Sequence, residues 1–198
     1  MNYLAHAYLS FSQPEIVVGN MISDFVKGNK KFDYPPDILR GIELHRAIDT
    51  FTDDHYLHRE ARRIFREDYG LYGGAFTDIV FDHFLANDIA HFTHKELEIF
   101  SAQTYEVLER FSGYHPERFA LVFPSMKQYN WLLNYQYEWG IERSFQGLVH
   151  RARYLDNSDK AFVLFLKYYS TFEQLYSEFF PELLDYTERQ LALTNSPS

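Results

Sequence analysis

The spacing of apolar residues constrains the fold of this chain more than any other feature. Within residues 36–54, apolar side chains recur every three or four positions, which predicts one buried helical face: Ile38, Leu39, Ile42, Leu44, Ile48 and Phe51. Similar segments follow along the chain, and none shows the alternation of a strand or the residues of a hairpin turn. We therefore predict an all-α fold, a compact multi-helix bundle that forms a single domain over residues 1–198.

Capping residues, glycines and prolines predict where the helices begin and end. The expected helices cover approximately residues 2–10, 14–28, 35–53, 56–69, 75–90, 94–111, 116–124, 125–154 (as one or two helices), 157–180 and 181–193. Pro124 is expected to break or bend its helix, and Pro181 to begin the last one. Residues 194–198 are expected to fray.

Composition and charge narrow the class of protein. With 46% hydrophobic residues, the chain has enough apolar surface for a packed core. The formal net charge of −9 argues against general binding to nucleic acid or to an anionic membrane. Cysteine is absent, so a metal ion would need His, Asp and Glu ligands, a set that suits Mn²⁺, Mg²⁺ or Fe²⁺. No apolar run approaches the ~20 residues of a membrane span and no signal peptide is evident, so we expect a soluble, cytoplasmic protein.

One helical stripe carries three ionisable side chains. His45, Asp49 and Asp53 lie at i, i+4 and i+8, so each is displaced only about 40° around the helix axis from the one before. Arg46 lies about 100° from His45, where its guanidinium would meet the phosphate of a substrate held on that stripe. The stripe also has an ordinary interpretation, a solvated helix face with a salt bridge.

Further polar side chains lie on helices with strong apolar faces within the first 85 residues: His6, Asn20, Asp24, Asp78, Asp82 and His83. Buried carboxylates of this kind need partners or a cation. A divalent ion would satisfy several of them at once, acidify a bound water and polarise a phosphoryl oxygen. No Gly-x-Ser-x-Gly elbow, Walker loop or dinucleotide-binding glycine motif is present. The residues therefore favour metal-dependent hydrolysis over chemistry at a serine nucleophile.

Five ordered segments carry a resemblance to a known family: Asn2-x-Leu4-Ala5-His6, Gly19-Asn20-x-x-x-Asp24-Phe25-x-x-Gly28-Asn29, Pro35-Pro36-Asp37, Gly41-Ile42-x-x-His45-Arg46-x-Ile48-Asp49-x-x-Thr52-Asp53 and Asp82-His83-Phe84-Leu85. Together they closely resemble the acyl carrier protein phosphodiesterases. The match is dense over residues 2–85. Beyond that range it thins to scattered positions, among them Tyr129, Trp131 and Arg151.

The resemblance implies a fold, a cofactor and a reaction. Members of that family are all-helical, are regarded as divergent relatives of the HD-type metal phosphohydrolases, and use a divalent metal, typically Mn²⁺. The implied reaction is hydrolysis of the phosphodiester that joins 4′-phosphopantetheine to a serine of holo-acyl carrier protein. Two positions depart from the expected patterns. Asp82-His83 reverses the His-Asp pair of HD-type enzymes, and Tyr8 stands where some members carry a second histidine.

The residues and the resemblance together predict a site. The expected metal ligands are Asp24, His45, Asp49, Asp82 and His83, and His6 is either a further ligand or a neighbour that supports one. Arg46 is expected to steady the phosphate oxygens, and Asn20 to orient the attacking water or a ligand. The serine leaving group needs a proton, for which His6 and His83 are the candidates.

A cationic stripe is predicted on the helix over residues 56–69, where arginines fall at i, i+3, i+4 and i+7: Arg59, Arg62, Arg63 and Arg66. We expect this stripe, or alternatively the connection with Lys27, Lys30 and Lys31, to dock the acidic carrier protein. Spacing alone also fits an ordinary solvated face. Two other functions remain open at this point: an HD-type phosphohydrolase acting on a nucleotide or another small phosphoester, and a non-enzymatic helical interaction module.

Overall fold

The computed structural model describes residues 1–194, and the regular elements in this part of the chain are all helices, with no strand. The α-helices are α1 (Tyr3–Tyr8), α2 (Pro14–Ile22), α3 (Pro36–Asp54), α4 (Tyr56–Tyr69), α5 (Gly73–Asn87), α6 (His94–Arg110), α7 (Glu117–Gln128), α8 (Trp131–Asn134), α9 (Glu138–Arg151), α10 (Asp159–Lys167) and α11 (Tyr169–Thr194). The predicted all-α bundle is confirmed, whereas an HD-like arrangement of the helices stays a prediction. Residues 195–198 lie outside the described residues. The structure therefore does not test the predicted fraying of these residues or the predicted extension of the domain to residue 198.

None of the helices in the described part of the chain combines the length and the apolar character that crossing a bilayer requires.

Helix α1 is only six residues long, too short to be stable without partners, and α5 holds it in place. The Oδ1 atom of Asn2 accepts a hydrogen bond from the Tyr3 amide at 3.0 Å and so caps the helix. The buried carboxylate of Asp82 accepts three more, from the amides of Asn2, Leu4 and Ala5 at 2.7–3.3 Å. A negative charge at this helix end is also favoured by the helix dipole. The inner face of α1 is therefore fixed relative to α5.

Helices α2 and α3 cross in backbone contact at two glycines. A Cβ atom on Gly19 would lie 2.1 Å from the carbonyl oxygen of Ile38, and one on Gly41 would lie 2.5 Å from the carbonyl oxygen of Ile16. Any side chain at either position would push the two helices apart. The crossing brings the backbone of α2 at Asn20 against the buried face of α3.

An aromatic core joins α4, α5, α9 and α11. The rings of Phe65 on α4, Phe76 on α5, Phe145 on α9 and Phe172 on α11 are fully buried and contact one another with centroids 5.0–6.1 Å apart. Such side chains contribute about 3–5 kcal/mol each, judged by the cost of truncating a buried Phe to Ala. The core supplies a rigid support for α5, and through Asp82 for α1.

The second helix ends earlier than predicted. It stops at Ile22 instead of Gly28, and the chain continues in a 3-10 turn over Ser23–Phe25, where the amide of Val26 donates to the carbonyl oxygen of Ser23 at 2.9 Å. Gly28 has a φ angle of +55°, a backbone conformation that favours glycine and is incompatible with an α-helix running through this residue. The turn directs Asp24 away from α2, so Asp24 and Asn20 do not share a helix face.

Neither internal proline begins or ends a helix, so the predicted break at Pro124 and the predicted helix start at Pro181 are wrong, whereas the alternative of a bend at Pro124 stays a prediction. Pro124 lies inside α7 and Pro181 inside α11. Each removes one backbone N–H donor, a loss that the packing of a long amphipathic helix outweighs. The predicted break at Pro181 falls instead at Tyr168, between α10 and α11. The region over residues 125–154 contains two separate helices after α7, namely α8 and α9.

Candidate metal centre and an adjoining cavity

Three side chains from two helices converge on one point. His6 on α1 and His45 on α3 stack with ring centroids 3.9 Å apart and planes inclined by 17°. The Nε2 atom of His6 lies 3.2 Å from Oδ1 of Asp49, and the Nε2 atom of His45 lies 3.1 Å from Oδ2 of the same carboxylate. Within the described residues, these three form the one group of His, Asp or Glu side chains whose ligand atoms all lie within 4.8 Å of one another.

Asn20 orients both imidazole rings. Its Nδ2 atom donates to the backbone oxygen of His6 at 2.9 Å and to Oγ of Ser10 at 3.1 Å, which leaves its Oδ1 atom to accept from Nδ1–H of His6 at 2.8 Å. The backbone oxygen of Asn20 accepts from Nδ1–H of His45, also at 2.8 Å. Both Nδ1 atoms therefore carry protons, and both Nε2 atoms face Asp49. A carbonyl partner of this kind is the usual support for a metal-binding histidine.

The Nε2 atom of His6 is buried and has no hydrogen-bond partner in the part of the chain that the structure describes. Oδ1 of Asp49 lies 3.2 Å away, but the geometry between the two atoms is unsuitable for a hydrogen bond. Burial, followed by the charge of His45, lowers the pKa of His6, so this ring is neutral. A lone pair then faces a carboxylate at short range, which is unfavourable unless a cation lies between them. The donor set therefore fits a metal ion.

His45 and Asp49 hold opposite charges in the absence of metal. Burial acts to lower the pKa of His45, but hydrogen bonds to Asp24 and Asp49 outweigh it and raise that pKa to about 9. Burial acts to raise the pKa of Asp49, but the hydrogen bond from His45 and the charge of the Met1 amino group outweigh it and lower that pKa. The hydrogen bond from His45, 3.1 Å long, likewise lowers the pKa of Asp24. A proton on His45 thus supplies a positive charge at the place where a cation would sit.

Two residues predicted as metal ligands point away from this centre. The carboxylate of Asp82 is occupied by the amides at the start of α1. His83 donates from Nδ1 to the backbone oxygen of Tyr135 at 2.8 Å, and its Nε2 atom accepts from the Tyr169 hydroxyl at 3.0 Å. Neither belongs to the converging group, so we do not retain either as a ligand. Asp53, the third member of the predicted stripe, is exposed one turn beyond Asp49.

Asp78 belongs to a neighbouring charge cluster. It accepts from Nε2 of His58 at 2.9 Å and pairs with the Met1 amino group at 3.1 Å, and this amino group also lies 3.8 Å from Oδ1 of Asp49. Burial acts to raise the pKa of Asp78, but the Met1 amino group and His58 outweigh it and lower that pKa to about 2. The first residues of the chain therefore lie directly beside the candidate centre.

The predicted phosphate and docking residues are exposed or half-buried. Arg46 is half-buried, and its Nη2 atom donates to the backbone oxygen of Val26 at 3.0 Å. The four arginines of the predicted stripe line a groove of about 430 Å³ together with Gly70, Leu71 and Gly74, and all four are exposed: Arg59, Arg62, Arg63 and Arg66. In the alternative connection, Lys31 is paired with Glu43 at 2.8 Å.

A separate cavity of about 220 Å³ opens beside α1, between α5, α8 and α9. Its walls include Tyr3, Trp131, Trp139, Arg143 and Arg151. The cavity was not predicted from the sequence. Trp139, Arg143 and Arg151 share one face of α9 because they are spaced by multiples of four residues, but only tertiary packing brings that face together with Tyr3 and Trp131.

Comparison with known proteins identifies the family. The model of the acyl carrier protein phosphodiesterase family matches residues 1–183. The chain is 29% identical over 191 residues to the acyl carrier protein phosphodiesterase of Photorhabdus laumondii, with 96% of each chain covered. It is 28% identical to that of Escherichia coli O6:H1 (96% and 99% covered) and 30% identical to that of Yersinia pestis (93% and 96% covered). No solved structure gives a significant match.

The chain is therefore an enzyme of the hydrolase class, as predicted from its sequence. It belongs to the acyl carrier protein phosphodiesterase family.

Proposed function

We propose that this chain hydrolyses the phosphodiester between 4′-phosphopantetheine and a serine of holo-acyl carrier protein, in a metal-dependent reaction. Membership of the family supports the substrate. The observation that carries the metal dependence is the buried Nε2 atom of His6, which faces the carboxylate of Asp49 without a hydrogen bond. A cytoplasmic location and a single domain over residues 1–198 stay predictions from the sequence.

The proposed ligands are His6, His45 and Asp49, with Asp24 beside them. Two imidazoles and one carboxylate suit Mn²⁺ or Fe²⁺ better than Mg²⁺, which prefers an all-oxygen set. When bound, such an ion supplies positive charge to the phosphoryl oxygens and acidifies water. The Asp24 side chain is 68% exposed, so the centre is open to solvent on that side. Asn20 keeps both rings in the orientation that binding requires.

In the proposal, Arg46 binds the phosphate oxygens, whereas the two histidines have other roles. Arg46 follows His45 on α3 and uses one of its donors on Val26, and a guanidinium has five N–H donors, so others remain to bind the phosphate oxygens. Neither histidine predicted as the proton donor keeps that role in the proposal. His6 directs a lone pair at the centre, and His83 is held by Tyr135 and Tyr169.

The groove lined by Arg59, Arg62, Arg63 and Arg66 is the proposed docking surface for the carrier. This chain has a net charge of −9 and the carrier is acidic, so the two proteins repel each other overall. A local cationic groove overcomes that repulsion at one place. The lysine connection is the alternative surface; each surface has one cation paired with a glutamate, Lys31 with Glu43 in the connection and Arg63 with Glu60 in the groove.

The test measures release of 4′-phosphopantetheine from holo-carrier with Mn²⁺, after chelation, and in the variants His45→Ala and Asp24→Ala. We expect no release after chelation and recovery on adding Mn²⁺. Both variants should lose at least about a hundredfold in kcat/KM, while His150→Ala, an exposed histidine on α9, should match the unaltered protein. Full activity after chelation would exclude the proposal. Turnover of nucleotides without turnover of holo-carrier would indicate a small-phosphoester hydrolase instead, and absence of any turnover or metal binding would indicate an interaction module.

A further inference from the structure

The cavity between α5, α8 and α9 adjoins the candidate metal centre through the first residues of the chain. Asn2 and Tyr3 line the cavity, and the Met1 amino group lies 3.8 Å from Oδ1 of Asp49. Because consecutive Cα atoms are about 3.8 Å apart, only one or two residues separate the two places. Ile79 also lines the cavity. Its neighbour Asp78 pairs with the Met1 amino group.

The lining combines aromatic rings with uncompensated positive charge. Trp131 lies 6.1 Å from Tyr3 between ring centroids, and the guanidinium of Arg143 lies 5.1 Å above the ring of Trp139. Arg143 and Arg151 are exposed, and neither forms an ion pair with any carboxylate among the described residues. Such a lining suits a ligand that carries an anionic group at one end and an apolar segment next to it.

We propose that this cavity binds the pantetheine arm of the substrate, with Arg151 near the phosphate end. The assignment rests on the proposed function. In 4′-phosphopantetheine a dimethyl-substituted carbon follows the phosphate almost directly, and two amides come after it, so the order along the arm is anionic, apolar and then polar. Tyr3 and Trp131 provide the apolar contact, and the volume of about 220 Å³ is enough for the part of the arm nearest to the phosphate.

The pKa of the Tyr3 hydroxyl is affected by charged groups of both the cavity and the candidate metal centre. Burial raises the pKa of this hydroxyl to about 12, while Arg151 acts to lower this pKa and Asp24 acts to raise it. A phosphate at the metal centre and an arm in the cavity fit on a single substrate, because Tyr3 lines the cavity two residues after Met1, whose amino group lies 3.8 Å from Oδ1 of Asp49.

Fluorescence gives a direct measurement of binding in this cavity. The chain has two tryptophans, Trp131 and Trp139, and both line it. We expect 4′-phosphopantetheine, added to the metal-free protein, to change the tryptophan emission saturably. Pantetheine, which lacks the phosphate, should bind at least about tenfold more weakly, because it cannot make the charged hydrogen bond to Arg151.

Two pairs of variants test the assignment. Gly147→Leu places a side chain into the cavity without a backbone clash, because a Cβ atom there meets only the Arg151 guanidinium at 3.4 Å, and it should abolish the fluorescence change. Gln146→Leu places a leucine of similar size on the exposed side of the same helix and should leave binding unchanged. Arg151→Gln should remove the preference for the phosphorylated ligand, whereas Arg153→Gln, outside the cavity, should keep it.

The outcomes separate this inference from the proposed function. If holo-carrier is hydrolysed but the free arm gives no saturable change in emission, or gives the same change in Gly147→Leu, the cavity assignment is wrong and the function stands. If the ligand binds with the expected pattern but holo-carrier is not hydrolysed, the cavity assignment stands and the function fails.

Discussion

The rings of His6 and His45 are stacked 3.9 Å apart, and both direct Nε2 at the two oxygens of Asp49. Two cationic imidazoles at this distance would repel each other, and the pKa values respond in opposite directions: that of His6 is lowered and that of His45 is raised. The pair therefore carries one positive charge at neutral pH, from the proton on Nε2 of His45. A divalent cation that replaces this proton would satisfy both rings and the carboxylate together.

Replacing Asn20 by alanine should weaken metal binding without removing any ligand. The variant loses the acceptor for Nδ1–H of His6, so this ring is free to rotate or change tautomer. We expect about 10–100-fold weaker Mn²⁺ binding by calorimetry, with unfolding made easier by about 1–3 kcal/mol. Asn87→Ala is the control, because Asn87 donates to two backbone oxygens away from the centre. Unchanged Mn²⁺ affinity in Asn20→Ala would contradict the orienting role.

Mn²⁺ binding should strengthen as the pH rises from 6.5 to about 9. His45 has a folded pKa of about 9, so below that pH the metal must displace its proton, while the lowered pKa values of Asp24 and Asp49 keep both ionised. Release of one proton predicts an affinity that rises roughly tenfold per pH unit and levels off near pH 9. Calorimetry in buffers of different ionisation enthalpy should detect the released proton. An affinity independent of pH over this range would contradict the assignment of His45.

The metal-free protein should show the opposite trend in stability. The folded pKa of His45 exceeds the unfolded value of 6.5, so its protonated form stabilises the fold fully below pH 6.5. That contribution is lost as the pH rises through about 9. Chemical denaturation at intervals between pH 6.5 and 9.5 should therefore show declining stability in the absence of metal. His45→Gln should remove the slope below about pH 8; above it the Met1 amino group, whose pKa burial acts to lower but Asp78 and Asp49 raise to about 10, adds the same trend.

Gly41→Ala should destabilise the protein although alanine favours helix. The added Cβ atom meets the backbone oxygen of Ile16 at 2.5 Å, and neither backbone can move without separating α2 from α3. We expect a net loss of about 1–3 kcal/mol in the free energy of unfolding, together with weaker metal binding. Gly147→Ala is the matched control, since that position has room and the substitution should stabilise the helix by up to about 1 kcal/mol. Equal stability of the two variants would show that the crossing tolerates separation.

Reversing two charges in the arginine groove should impair docking alone. Arg62→Glu with Arg66→Glu should raise KM for holo-carrier by about tenfold or more, with little change in hydrolysis of a small phosphodiester. The control is Arg118→Glu with Arg153→Glu, which changes the net charge equally on exposed positions outside the groove. Comparable losses for both double variants, or for both substrates, would argue against a specific docking surface.

The sequence predicted those parts of the site that depend on local spacing. His45 and Asp49 face one another because i and i+4 share a helix face, and the structure places them within 3.1 Å. His6 joins them only through the packing of α1 on α5, so spacing left its role open. Asp82 and His83 are adjacent in sequence and consequently project about 100° apart around the helix, towards different neighbours. Of the two ways to satisfy a buried carboxylate, partners or a cation, Asp82 has the first, because amide donors from α1 bond to it.

The attachment of α1 to α5 affects how loss-of-function variants of this enzyme are read. Substituting Asp82 should release the short segment that presents His6, so activity should fall although the Asp82 carboxylate is bonded to the amides of α1 and lies outside the converging group. An alanine scan would then rank Asp82 beside the proposed ligands. Structural measurements on each inactive variant, rather than rates alone, distinguish a scaffold residue from a participant in the chemistry.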